Sequence, residues 1–153
     1  MISNEPSLAS GACFSELELF AEQNLLFLHY DLDSVRSSVG RIFKPHDLNA
    51  VRSGETVAAS MHHVARGGLS LGRLEYATEV DIDPGRLEDF YLIQIPIQGG
   101  ANIRCEGVEF DSSPHVASLL SPTLPARMRW QAGAPQLTLR IEQPDMAYHC
   151  PHH

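Results

Sequence analysis

The chain has 153 residues, which fits one domain with a sizeable core. Its formal net charge is −8, and its single lysine, Lys44, and ten arginines are scattered, so it lacks the clustered cations that grip nucleic-acid phosphates. Apolar runs are too short for a membrane helix, the N-terminus lacks the apolar stretch of a signal peptide, and three distant cysteines make no disulfide framework. We therefore expect a cytoplasmic protein whose own surface contacts neither membrane nor nucleic acid.

The first 24 residues form an N-terminal segment that we expect to be partly helical. Apolar side chains three positions apart predict a short helix over 14–22: Phe14, Leu17 and Phe20. The apolar run that follows, residues 25–30, fits either a strand or a buried turn, and its pattern does not decide between them.

The clearest helix is predicted over residues 32–43. Apolar residues recur there at offsets of 0, 3, 7, 10 and 11, which places them on one face of a helix. Asp31 precedes the first apolar position and offers an N-cap, and Pro45 ends the helix shortly after Phe43.

After residue 49 the pattern changes to short β-branched and apolar segments separated by turn residues. These segments predict eight strands, over 56–64, 69–76, 79–82, 90–97, 101–105, 116–121, 127–131 and 136–142. Short strands at near-regular spacing are typical of an antiparallel sandwich or jelly-roll barrel. We therefore expect a mainly β domain over residues 25–142, which includes the helix, followed by a tail over residues 143–153.

Strand alternation predicts which side chains face the interior of the barrel. In segment 90–97 we assign the core face to Tyr91, Ile93, Ile95 and Ile97, and in segment 136–142 to Leu137, Leu139 and Ile141. In segment 127–131, Met128 and Trp130 share one face and the two arginines take the other.

A barrel of about eight strands has room either for packed side chains or for one small ligand, and the sequence leaves both readings open. If a cavity exists, an apolar lining with a few polar tips suits a small aromatic or amphipathic molecule. The candidate ligand-binding residues are Tyr91, Met128 and Trp130 for apolar contact, and His63, Arg73 and Tyr76 for polar contact.

Catalytic and metal-binding patterns are weak in this sequence. His62 and His63 are adjacent on a predicted strand, so they point to opposite faces and cannot share one metal ion inside the barrel. No nucleophile elbow, phosphate-binding loop or dinucleotide fingerprint occurs. We therefore expect no catalytic residues, no metal and no cofactor.

Several motifs in fixed order resemble a known family. They are residues 31–36, residues 41–48 with the pattern Phe43-x-Pro45-His46-x-Leu48, residues 67–76, residues 88–97, and Ser121-Pro122 followed by residues 127–130. Together they are similar to the N-terminal, cupin-like effector domain of AraC/XylS-type bacterial transcription regulators, over about residues 25–142.

That resemblance implies a jelly-roll barrel that binds a small effector and often takes part in homodimers. It also implies that DNA is contacted through a C-terminal helix-turn-helix half, which we expect to be missing from this chain. Ala126 stands where many relatives place a histidine, so one polar pocket group is lost. Two alternatives are a small metal-dependent cupin enzyme and a stand-alone jelly-roll binding module.

Overall fold

The computed structural model describes residues 21–143. The described residues form a 3-10 turn, Glu22–Asn24, the helix α1, Leu32–Ile42, and the strands β1, Leu25–His29, β2, Asp47–Ala50, β3, Ala59–Arg66, β4, Leu69–Tyr76, β5, Val80–Gly85, β6, Phe90–Pro96, β7, Ala101–Cys105, β8, Val108–Asp111, β9, Ser118–Leu120, β10, Ala126–Trp130, and β11, Gln136–Glu142. One antiparallel sheet has six strands in the order β1-β3-β4-β11-β6-β9, and the other has five in the order β2-β5-β10-β7-β8.

The two sheets confirm the expected mainly β jelly-roll architecture. Beyond the eight predicted strands, the described residues contain β1, β2 and β8, and β1 shows that the ambiguous run after residue 24 is a strand. The helix predicted over 14–22 lies mostly outside the described residues, as does most of the predicted tail. Within residues 21–143, no helix is long and apolar enough to cross a membrane.

The predicted helix is confirmed as α1, which lies between β1 and β2. Asp31 Oδ1 accepts a hydrogen bond from the backbone N–H of Ser34 at 2.8 Å, so the N-cap forms as the sequence indicated. Val35 and Val39 are buried against the core, which places α1 across one end of the space between the sheets.

The inward faces of two strands differ from the prediction. In β6 the buried residues are Phe90, Leu92, Gln94 and Pro96, so Tyr91, Ile93 and Ile95 face outward instead. In β11 the inward residues are Gln136, Thr138 and Arg140. Leu137, Leu139 and Ile141 therefore face outward, on the same side as the outward residues of β6. Both assignments were wrong because these outward residues are as apolar as a core face. In β10 the inward position of Met128 and Trp130 is confirmed.

The outer faces of the two sheets differ in chemistry. We call the apolar part of the outward side of the six-stranded sheet the outer apolar face, formed by Val64, Leu69, Leu71, Tyr91, Ile93, Ile95, Leu119, Leu137, Leu139 and Ile141. The same side also carries His62, Arg73 and Glu75, on β3 and β4. The outward side of the five-stranded sheet instead carries ion pairs, such as Arg129 Nε with Asp81 Oδ1 at 2.8 Å and Arg127 Nε with Asp83 Oδ2 at 3.1 Å. Antiparallel sheets often leave one face in water, and the charged face fits that role.

Candidate functional site

A cavity lies between the two sheets, at the end that α1 covers. Its volume is about 30 Å³, which is enough for one or two water molecules. Helix α1 and the residues after it line one wall, and both sheets supply the rest: Val39, Phe43, Lys44, His46, Leu74, Tyr76, Ile82, Pro84, Leu87, Leu92, Gln94, Met128, Trp130 and Thr138. The interior of the barrel is therefore almost filled.

Tyr76 and Trp130 form a rigid aromatic wall of the cavity. Their rings meet edge to face, with centroids 5.2 Å apart and an angle of 84° between the planes. Burial raises the pKa of the Tyr76 phenol, so this group stays protonated and can donate a hydrogen bond. Beside the wall, Gln94 Nε2 donates to Sδ of Met128 at 3.3 Å.

Three polar atoms of the cavity have no hydrogen-bond partner within the described part of the chain. They are Tyr76 Oη, Gln94 Oε1 and Trp130 Nε1. Each of these side chains is at most 2% exposed, so bulk water does not reach them as it reaches surface groups.

One wall of the cavity includes part of a segment that we call the lid, residues 32–46, which comprises α1 and the four residues after it. Arg36 Nη2 donates to the carbonyl of Leu48 at 2.7 Å, and Lys44 Nζ donates to the carbonyl of Arg86 at 2.5 Å. These bonds attach the lid to the five-stranded sheet and to the loop between β5 and β6.

Within the lid, His46 Nδ1 donates to the carbonyl of Lys44 at 2.7 Å. Burial lowers the pKa of His46, and the nearby charges of Arg36 and Lys44 act in the same direction. The hydrogen bond to the Lys44 carbonyl and the charge of Asp47 raise this pKa, but by less than burial lowers it. His46 is therefore uncharged at neutral pH.

Arg140 attaches the lid to the six-stranded sheet. Its Nη1 donates to the carbonyls of Ile42 and Phe43, at 2.7 and 3.0 Å, and its Nε donates to Glu142 Oε1 at 2.8 Å. Its guanidinium carbon also lies 4.0 Å from the centre of the Phe90 ring. A cation at these last carbonyls of α1 satisfies acceptors that have no partner inside the helix.

The structure brings three of the six candidate ligand-binding residues together. Tyr76, Met128 and Trp130 line the cavity. His63 faces inward opposite Gly72, but it lies outside the cavity lining. Arg73 and Tyr91 point away from the cavity. Arg73 pairs with Glu75 at 3.5 Å, and Tyr91 belongs to the outer apolar face.

Other lining residues were not among the candidates. Phe43, Lys44 and His46 lie in the Phe43-x-Pro45-His46-x-Leu48 motif, which the sequence analysis used for the family resemblance and not for the site. Gln94 and Thr138 face each other across β6 and β11. A glutamine inside an otherwise apolar strand was the available signal for that pair.

Hydrogen-bond donors and acceptors on an apolar wall suit the binding of a small molecule. Among residues 21–143, no three histidine, cysteine or acidic side chains lie close enough together to hold a metal ion. His62 and His63 face opposite sides of β3, as predicted from their adjacency.

The sequence matches the family described as the AraC-binding-like domain over residues 35–150. It is 27% identical over 120 residues to a probable thc operon regulatory protein of Rhodococcus erythropolis, covering 76% of this chain and 36% of that protein. It is 29% identical over 107 residues to the XylDLEGF operon transcriptional activator 1 of Pseudomonas putida, covering 70% of this chain and 33% of the activator. The chain therefore aligns with about a third of each of these relatives.

The fold is similar to that of a solved AraC-like transcriptional activator, CuxR. The TM-score is 0.66 at 14% sequence identity, and the match covers 82% of this chain and 50% of CuxR. At this identity the likeness concerns the fold.

Proposed function

This chain belongs to the AraC-binding-like domain family, and on that premise we propose that it is the effector-sensing domain of a transcription regulator. Its curated relatives are operon regulators about three times as long as the matched region. In this proposal the remaining part of the regulator contacts DNA in the cytoplasm, and this domain binds a small molecule without catalysing a reaction.

The observation that carries the proposal is the small cavity between the sheets and the lid. A cavity of about 30 Å³ cannot hold an effector larger than a few atoms in its present form. Binding therefore requires Phe43 and its neighbours in the lid to move outward. A ligand that binds the open form better than the closed one shifts the population towards the open form.

Lid movement would reach other parts of the molecule because the lid is attached to both sheets. Arg36 attaches it to β2, Arg140 attaches it to β11, and Lys44 reaches the loop before β6. We propose that these contacts change when the effector enters, and that the change alters how the domain packs on its partners.

The effector site is tested with a variant that fills the cavity. A library of small molecules is screened against the purified chain by melting temperature and by the emission of Trp130, which lines the cavity. Thr138→Leu enlarges a side chain that lines the cavity, and Thr123→Leu makes the same exchange at an exposed loop position.

Compounds that raise the melting temperature of the original chain should lose this effect in Thr138→Leu and keep it in Thr123→Leu. Binding that is indifferent to Thr138→Leu would place the site elsewhere. The absence of any stabilising compound would contradict an effector-sensing role.

We also propose that two copies of this chain associate through the outer apolar face. One row of that face runs across five neighbouring strands without a polar residue: Val64, Leu71, Leu139, Ile93 and Leu119. Within the outer apolar face, Leu119 is 62% exposed and Leu69 is 45% exposed, most of the other side chains are half-buried, and Leu137 is buried. Contiguous apolar patches on a protein surface mark interaction sites.

The size of the face suits a second copy. Five strands and three rows of outward side chains cover roughly 500 Å², an area that includes His62, Arg66 and Arg73 at one edge of the apolar residues. Two such faces in contact would bury roughly 1,000 Å², which is near the lower limit of a specific interface. A two-fold dimer uses the same patch on both copies, so a flat apolar face is complementary to itself.

The dimer is tested by light scattering with size-exclusion chromatography over a range of concentrations. Ile93→Lys places a charge at the centre of the outer apolar face, and Asn102→Lys places the same charge on the outer side of the five-stranded sheet. The original chain and Asn102→Lys should dimerise, whereas Ile93→Lys should be a folded monomer. A monomeric original chain, or a dimer that survives Ile93→Lys, would refute this interface.

A further inference from the structure

The three unpartnered polar atoms of the cavity point to the chemistry of its ligand. Buried polar groups in folded proteins are nearly always hydrogen-bonded, because a buried group left without a partner destabilises the fold. Tyr76 Oη, Gln94 Oε1 and Trp130 Nε1 belong to side chains that line one cavity. Because all three side chains line the same cavity, one bound molecule is in a position to partner them.

The types of these atoms define what the molecule must offer. Trp130 Nε1 can only donate, and the protonated Tyr76 hydroxyl is free to donate as well. Gln94 Oε1 can only accept, since an amide oxygen carries no hydrogen, and the amide nitrogen of the same side chain donates to Met128. A complementary ligand therefore carries an acceptor and a donor close together.

The charges around the cavity disfavour an ionised ligand. No carboxylate is among the described residues that line the cavity. Lys44 is among them, but its ammonium donates to the carbonyl of Arg86 in an exposed position, whereas the three unpartnered atoms are buried. His46 is uncharged because burial lowers its pKa. A charged group beside the buried atoms would lose its hydration without a counter-charge at the same depth, which is costly.

We propose that the cavity binds an uncharged molecule with an apolar body and an amide-type group that both accepts and donates hydrogen bonds. Its carbonyl oxygen accepts from Trp130 Nε1 and Tyr76 Oη, and its N–H donates to Gln94 Oε1. The apolar body takes the space that Phe43 and Met128 vacate when the lid moves. This inference rests on the proposed function and narrows the effector to a chemical class.

The test compares four probes that share one aromatic ring at pH 7.5: benzamide, benzoate, benzylammonium and toluene. Benzamide carries the uncharged acceptor and donor, whereas the others carry a negative charge, a positive charge or no polar group. Affinity is measured by the emission of Trp130 and by the shift in melting temperature. We expect benzamide to bind at least about tenfold more tightly than each of the other three, since one lost buried hydrogen bond gives a difference of this size.

Two variants separate the polar contacts from general effects of removing a hydroxyl. Tyr76→Phe removes an unpartnered hydroxyl of the cavity, and Ser118→Ala removes an unpartnered buried hydroxyl that is outside the lining. Both should fold with an unchanged or higher melting temperature. Tyr76→Phe should weaken benzamide at least about fivefold and leave toluene unaffected, while Ser118→Ala should change neither.

The contrary outcomes are distinct. Tighter binding of benzoate would assign Lys44 to an anionic ligand, and equal binding of toluene and benzamide would show that the polar atoms are not used. Either result overturns the proposed class. If none of the four probes binds but other compounds bind in a manner blocked by Thr138→Leu, the class is wrong and the effector site stands. If nothing binds there, the proposed function fails with it.

Discussion

The lid and the cavity beneath it satisfy their polar groups to opposite degrees. In the lid, Arg36, Lys44 and His46 each donate to a backbone carbonyl. Arg140 of β11 donates to two carbonyls at the C-terminal end of α1. In the cavity, three buried polar atoms have no partner among residues 21–143. The lid thus has hydrogen-bond partners for these groups within the protein, while the cavity side chains keep three polar atoms that a ligand can partner. A ligand that displaces the lid must therefore form hydrogen bonds in the cavity that compensate for those it breaks in the lid.

The largest effect is expected where the lid meets the six-stranded sheet. Arg140→Met removes two hydrogen bonds to carbonyls of α1 and the contact with Phe90, and we expect a loss of about 2 kcal/mol in the free energy of unfolding. Urea unfolding measures this loss, and hydrogen exchange of α1 should quicken in parallel.

The matched control is Arg129→Met on the outer side of the five-stranded sheet. Arg129 pairs with Asp81 at 2.8 Å, but its side chain is half exposed, so we expect a much smaller loss in the free energy of unfolding than for Arg140→Met. Equal losses in the two variants would mean that Arg140 has no special role in holding the lid.

A substitution in the cavity is expected to change the free energy of unfolding by a smaller amount and in the opposite direction. Gln94→Leu removes an unpartnered oxygen together with a weak bond to Met128 sulfur, so the ligand-free protein should gain up to about 1 kcal/mol. The exposed Gln98→Leu should leave the free energy of unfolding unchanged. A clear loss of stability in Gln94→Leu would show that the Gln94 amide has a structural role and would remove the contrast with the lid.

The smallest effect concerns the response of the lid to pH. The pKa of His46 lies below its ordinary value of 6.5 in the folded protein, so the unfolded chain takes up a proton more readily as the pH falls below 6.5. Stability should therefore decrease on acidification towards pH 5.5. Asparagine can still donate to the Lys44 carbonyl but does not titrate, so His46→Asn should reduce the slope of melting temperature against pH. An unchanged slope would assign the response to other groups, including His62 and His63, whose pKa values burial also lowers.

The inward face of an element was predicted correctly where apolar residues occupy one face and polar residues occupy the other. In β10, Met128 and Trp130 alternate with arginines, and in α1 the apolar spacing and the Asp31 cap agree, so both were assigned correctly. In β6 both alternating sets are apolar, and the pairing of Gln94 with Thr138 across β11, which brings two polar residues inside, cannot be read from either strand alone.

The site was predictable in part for a related reason. Tyr76, Met128 and Trp130 are large residues on inward faces, and they line the cavity as the candidate list implied. The lid was missed because its anchors join distant parts of the chain. Arg140 and Ile42 are 98 residues apart, and no local pattern connects them.

The lid anchors also bear on how such a domain could diversify. Arg36, Lys44 and Arg140 all end on backbone carbonyls, at Leu48, Arg86, Ile42 and Phe43. Every amino acid supplies a carbonyl, so replacing the side chain at an accepting position leaves the anchor intact. A substitution in the cavity lining does change the contacts, because the ligand would contact the side chains themselves. Descendants of this chain could therefore exchange Tyr76 or Gln94, and acquire a new ligand preference, while they keep the lid and the hydrogen bonds that anchor it.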